Sequence, residues 1–256
     1  MAAIGAFTLL VVACGVAGGA GFLAADAGLS VPAPLAATSP TAMALPLETV
    51  ADQVMSRVVT IEGERADDEE LGTGWLFDRD GDFVTNAHVI EGQLTVRIRD
   101  ASGIGHVGVV MGVDREQDIA VVRSADGFAG TPLPAAGPGD PALPLDAVTV
   151  ASERATGHAN VIMETITALH QDVPVKGNPS VEPGVGTTTT TYHDMMVMRG
   201  ATIYSGNSGG PLLDGQGRVV GIVTLKSRDQ RQGYAIPLAR VLVEIRSFAE
   251  RSSPAG

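Results

Sequence analysis

The chain has 256 residues, 45% of them apolar, an ordinary globular composition that allows one domain of two barrels or two small domains. Lys and Arg total 17 against 29 Asp and Glu, a formal net charge of −12, which argues against nucleic acid as a partner because phosphate contacts need clustered cations. The single cysteine, Cys14, rules out an intramolecular disulfide framework, so a folded part outside the cytoplasm has to be held by its core.

Residues 2–25 carry no charge, and the first basic side chain is Arg57. About 20 apolar residues span a bilayer, so this stretch reads as a membrane anchor or as a signal peptide lacking the usual basic leader. Val11-Val12-Ala13-Cys14 also fits a lipoprotein cleavage box, but the chain stays apolar after Cys14. That favours a small apolar residue inside an anchor. Residues 26–46, with Pro32, Pro34, Pro40 and Pro46, read as a Pro/Ala-rich linker. The remainder is thereby expected outside the cytoplasm, in the periplasm or cell envelope or secreted.

From Leu47 to Met55 the apolar residues fall on one helical face, and Val58-Val59-Thr60-Ile61 begins a strand. The run Asp78-Arg79-Asp80-Gly81-Asp82 resembles a calcium loop only at its start. Phe83 stands where glycine is needed and Val89 where a bidentate glutamate is needed. Asp80-Gly81 between apolar runs is a hairpin turn instead. Phe83-Val84-Thr85 then leads into Asn86-Ala87-His88, which displays a histidine at a strand end. Strands follow at Leu94–Arg99 and Val107–Val113. Asp114 reads as a turn residue. Asp118, directly before Ile119-Ala120-Val121-Val122, reads as a buried carboxylate in need of a partner.

Downstream, Val148-Thr149-Val150 reads as a strand, followed by an unusual segment at 151–160. Residues 172–194 hold Pro174, Pro179, Pro183 and the run Thr187–Thr191, which is loop composition. His106, His158, His170 and His193 lack a strand-end context and read as surface or loop residues. Gly206-Asn207-Ser208-Gly209-Gly210-Pro211 allows a tight backbone and close approach of another molecule. A Gly-punctuated hairpin and the strand up to Thr224 brace it. After Tyr234-Ala235-Ile236-Pro237, the segment LARVLVEIRSFAE has the apolar spacing of an amphipathic helix.

Four blocks, TGWLFDRDGDFVTNAHVI, DREQDIAVVRS, SGNSGGPLLDGQGRVVGIVT and YAIPLARV, occur in this order. Together they resemble the trypsin-like serine proteases, and most closely the HtrA/Deg branch, over roughly residues 47–246. The resemblance implies an all-β fold of two six-stranded antiparallel β-barrels, about 55–130 and 145–240, within a protease domain at 47–250. A C-terminal helix and the N-terminal apolar segment would flank them. The PDZ domain that follows the protease in many relatives is not expected, since few residues remain after the helix.

Carried onto this sequence, the resemblance makes Ser208 the nucleophile, His88 the general base and acid, and Asp118 its orienter. Gly206, Asn207 and Ser208 would form the oxyanion hole, with the N–H groups of Gly206 and Ser208 as donors. Thr202, Ile203, Tyr204 and Ser205 would form one wall of the substrate pocket, and Thr224, Leu225 and Lys226 another. The absence of a carboxylate at the pocket-base position nearest Thr202 argues against Lys or Arg at P1, and Thr202, Ile203 and Leu225 suggest a small or medium apolar side chain there. The implied partners are polypeptide substrates and, as in many relatives, further copies of the chain in a trimer; no cofactor and no metal are implied. The alternative is a protease-like fold that binds or scaffolds without efficient hydrolysis.

Overall fold

The structure, a computed structural model, describes residues 44–64, 69–156, 161–176, 189–200, 203–227 and 231–251. The expected anchor at 2–25, nearly all of the linker, His158 and Thr202 lie outside them. Among the described residues no helix is long and apolar enough to cross a membrane.

The chain enters through helix α1 (Leu47–Val54) and a single 3-10 turn (Met55–Arg57). Six strands follow: β1 (Val58–Glu64), β2 (Glu69–Leu76), β3 (Asp82–Thr85), β4 (Thr95–Arg99), β5 (Gly105–Asp114) and β6 (Ile119–Ser124). They pair antiparallel in the order β1-β2-β3-β6-β5-β4, and β4 returns to β1 to close a barrel. A second set comprises β7 (Leu145–Val150), β8 (Val161–Lys176), β9 (Thr189–Arg199), β10 (Pro211–Leu213), β11 (Val219–Lys226) and β12 (Gly233–Pro237). It closes in the order β10-β11-β12-β9-β8-β7. Helix α2 (Glu153–Thr156) leaves β7, and α3 (Leu238–Ala249) follows β12. The two six-stranded antiparallel barrels and the C-terminal helix match the fold that the sequence implied.

Alternation of side chains builds the cores. Along β4, Val96 and Ile98 are buried while Thr95 and Arg97 face outward, the period-two signature of a strand with one wet face. One apolar cluster, including Ile61, Phe83 and Val122, belongs to barrel one, and a second, including Ile166, Met198 and Leu212, belongs to barrel two. A third cluster joins Trp75, Val84 and Val121 of barrel one to Val148, Leu213 and Ile222 of barrel two. Strands such as β6 are buried on both faces for this reason.

Helix α3 closes the join. Leu238, Val241, Ile245 and Phe248 are buried at helical spacing, and each such side chain contributes about 1.5–3 kcal/mol. Phe248 reaches barrel one at Gly112, where a Cβ would lie 2.2 Å from the ring. The end of α3 is tied down as well. Arg123 of β6 donates to both carboxylate oxygens of buried Asp82, at 2.8 and 2.6 Å, and to the carbonyls of Ala249 and Arg251. Burial pushes the Asp82 carboxyl up to about 6 despite that guanidinium.

The structure corrects two expectations. The stretch 172–194 is not a loop throughout: residues 172–176 and 189–194 extend β8 and β9 as a long hairpin. Val173 pairs with Tyr192, Pro174 with Thr191 and Val175 with Thr190; threonine is itself β-branched and suits a strand, so these cross-strand pairs outweigh the single proline. His170 and His193 lie on these strands and are exposed, in keeping with the surface position expected of them; His106 is the exception. His106 is also in a strand, β5, and half-buried between Asp100, Asp126 and the Phe128 ring.

Glu164 of β8 is 4% exposed. One of its oxygens accepts a long hydrogen bond from the Thr149 hydroxyl at 3.4 Å, and the other has no partner. Burial pushes this carboxyl up to about 8, with Thr149 opposing weakly. The folded protein therefore keeps the proton to about pH 8, whereas the unfolded chain releases it near 4.5. Stability from this site is full below 4.5 and falls by about 1.4 kcal/mol per pH unit as pH rises towards 8. Glu164→Gln should remove that slope. Urea denaturation of both proteins from pH 5 to 9 checks it: the variant's advantage should grow up to pH 8 and then level off.

Candidate active site

His88 follows β3 by three residues, and its position is fixed by Asn86 and Asp118. The buried Asn86 amide donates to the Asp118 carbonyl at 2.8 Å. Asp114 shapes the turn before Asp118, as its carboxylate accepts from the backbone N–H groups of Glu116 and Gln117 at 2.7 and 2.9 Å. Asp118 itself has φ +56, an uncommon conformation that aspartate tolerates better than most residues. The result is a carboxylate, 3% exposed, aimed back at the histidine.

Asp118 meets three donors. Its Oδ1 accepts the His88 backbone N–H at 3.1 Å, its Oδ2 accepts the Thr224 hydroxyl at 2.6 Å, and both oxygens lie 2.9 Å from His88 Nδ1. A carboxylate can only accept, so Nδ1 carries a proton. In the neutral ring that leaves Nε2 as the acceptor that a general base requires. Ser208 Oγ donates to the Thr224 carbonyl at 3.3 Å. Thr224 of β11 thus touches both Asp118 and Ser208, which adds a role to the pocket wall expected from the sequence.

The loop around Ser208 is held by barrel one. The Thr73 backbone N–H donates to the Ser208 carbonyl at 2.8 Å, and the Thr73 hydroxyl to the Gly206 carbonyl at 2.7 Å. The Asn207 N–H donates to the Tyr204 carbonyl at 3.2 Å, closing a turn in which Gly206 has φ +96. An ideal Cβ at Gly206 would lie 1.8 Å from the Ala155 carbonyl oxygen, so α2 packs directly on that glycine. The Asn207 N–H is therefore already engaged. Among the described residues no hydrogen bond uses the N–H of Gly206 or Ser208, which leaves both as donors for a developing negative charge. The Asn207 side chain is fully buried, and neither of its amide atoms has a partner.

The remaining pocket residues divide. Ile203 is 5% exposed and packs into the core of barrel two, where Gly233 leaves it room. Tyr204, Ser205 and Lys226 are exposed, and Leu225 is half-buried. Beyond Ile222 the β10 side of β11 pairs with no strand among the described residues, so Thr224–Lys226 offer an edge to an extended chain. Sequence reasoning missed Thr73 and Ala155 as neighbours of the loop. The only signal was that Thr73 lies in the TGW block. Among the described residues no group of His, Cys, Asp and Glu is arranged to hold a metal ion.

Comparison with known proteins fits this geometry. The pattern of the trypsin-like peptidase domain matches residues 72–222. The putative serine protease HhoB of Synechocystis is 33% identical over 173 residues, covering 67% of this chain and 38% of that protein. The mitochondrial serine protease HTRA2 of Bos taurus is 33% identical over 184 residues, covering 70% of this chain and 36% of that protein. The chain thus spans well under half the length of these relatives. Among solved structures, the Rv3671c protease from M. tuberculosis in its active form superposes with a TM-score of 0.63 at 22% identity, over 81% of this chain and 86% of that one. The HtrA-type protease AlgW with tripeptide gives 0.63 at 24% identity, over 80% and 64%. The chain belongs to the trypsin-like peptidase family, and its relatives include proteases of the HtrA type.

Proposed function

We propose that this chain is a serine endopeptidase that cleaves unfolded or extended polypeptide outside the cytoplasm through an acyl-enzyme. The observation that carries the reading is the contact set around Asp118, which orients His88 and shares Thr224 with Ser208. Family membership supports it.

In this reading the substrate lies extended along the free edge of Thr224–Lys226. Ser208 Oγ attacks the scissile carbonyl while His88 Nε2 takes the hydroxyl proton. The N–H groups of Gly206 and Ser208 stabilise the oxyanion. Asp118 holds the ring and stabilises the transient imidazolium. His88 then returns the proton to the leaving amine, the C–N bond breaks, and Ser208 is left as an ester. Water, deprotonated by His88, hydrolyses that ester and regenerates the serine. The absence of a carboxylate at Thr202, together with Leu225 at the pocket, supports a small or medium apolar side chain at P1. By family resemblance, the active particle is a trimer, anchored or exported through residues 2–25.

Two measurements test the reading. Wild type should react with a fluorophosphonate probe and hydrolyse casein, and Ser208→Ala should lose the label and lower kcat on the order of 10⁴–10⁶-fold. A wild type that neither labels nor cleaves, yet still binds polypeptide, would leave only the scaffolding role. Gly206→Ala should cost at least about 10²–10³-fold in kcat on a peptide with alanine or valine at P1, because its methyl group meets the Ala155 carbonyl and φ +96 does not suit alanine, which displaces the loop and its oxyanion donor. A Gly206→Ala enzyme that turns over at the wild-type rate would place the oxyanion site elsewhere.

A further inference from the structure

We propose that Thr73 is a positioning residue, whose hydroxyl fixes the place of the loop segment Gly206–Ser208 that carries the oxyanion donors. The proposal rests on the protease reading above. Thr73 lies in β2, opposite Thr60 of β1, and is fully buried. Its backbone N–H holds the Ser208 carbonyl and its hydroxyl holds the Gly206 carbonyl, so it grips the loop on both sides of Asn207.

The hydroxyl has a defined polarity. It accepts the Ser152 backbone N–H at 3.1 Å and donates to the Gly206 carbonyl at 2.7 Å. The amide can only donate and the carbonyl can only accept, so the hydrogen points one way along Ser152–Thr73–Gly206.

Turn geometry gives this relay its consequence. Tyr204 to Asn207 is closed by the Asn207 N–H on the Tyr204 carbonyl, and φ +96 at the third residue is the type II pattern. Type I and type II turns differ by a flip of the central peptide, here the Ser205–Gly206 peptide that carries the Gly206 N–H. Glycine occupies either sign of φ readily, so the residue itself does not choose between them. Two contacts fix the frame in which that peptide turns: the Ala155 carbonyl packed on the Gly206 Cα, and the Thr73 hydroxyl on the Gly206 carbonyl, which holds the adjoining Gly206–Asn207 peptide.

The segment carrying Ala155 is fastened to barrel one beside Thr73. Arg154 Nε lies 3.0 Å from Glu62 Oε1, Arg99 grips the same carboxylate at 2.7 Å, and the Ser152 and Thr60 hydroxyls share a hydrogen bond. Thr73 therefore sits between residues 151–156 and the loop and transmits the position of one to the other.

Replacement by serine, alanine and valine tests this. Ser and Ala differ by one oxygen, so that pair reads the hydroxyl alone even where valine fails to fold. Activity is measured on a chromogenic peptide at a temperature at which melting curves show each variant folded. Thr73→Ala and Thr73→Val should lower kcat about 10- to 100-fold with KM within about twofold, and Thr73→Ser should stay within about threefold of wild type. Phosphonylation of Ser208 by the fluorophosphonate, with loss of fluoride, should slow in parallel with kcat, since the phosphonyl oxygen uses the same donors. Thr73→Ala at the wild-type kcat overturns the proposal. So does Thr73→Ser as slow as Thr73→Ala, or a loss confined to KM. An inert wild type removes the protease reading itself, and that outcome is seen without any variant.

Discussion

The site depends on one buried carboxylate. Asp118 lies in an interior where an unpaired charge would be costly, so it has to be surrounded by donors. They come from both halves of the molecule: the His88 backbone and ring from barrel one, and the Thr224 hydroxyl from barrel two. The carboxylate therefore does two things at once. It selects the histidine tautomer, and it makes the correct seating of barrel two a condition for its own solvation.

That seating is supplied by packing well away from the chemistry. The apolar cluster between the barrels includes Trp75 and Val121 on one side and Leu213 and Ile222 on the other. α3 lies across the join, with Phe248 filling the space at Gly112 and Arg123 holding the helix end. Thr224 follows directly on the buried part of β11, so the same interface that excludes water brings its hydroxyl to Asp118. Position at the site is thus inherited from the core.

Much of the fold and the outline of the site could be read in the sequence because their signals are local. Strand alternation at Thr95–Arg99, the Asp80-Gly81 turn and the helical spacing of Leu238, Val241 and Ile245 each lie within a few residues. His88 and Ser208 stand in short blocks with recognisable neighbours. The long β8–β9 hairpin was obscured because Pro174 and the threonine run look like loop, whereas the pairing of Val173 with Tyr192 is decided across the hairpin. The part played by Thr73 was hidden for a stronger reason. A threonine in a strand is ordinary, and its partner Gly206 lies 133 positions away. Contacts of that kind follow from the closing of two barrels and leave no periodic trace along the chain.

The lone Asn207 amide sets a cost on the loop. A buried carboxamide without partners raises the energy of its conformation by about 1–3 kcal/mol. The contacts that Thr73 makes to the carbonyls of Gly206 and Ser208 have to outweigh it. The loop thus keeps its shape through its neighbours and against the preference of one of its own side chains.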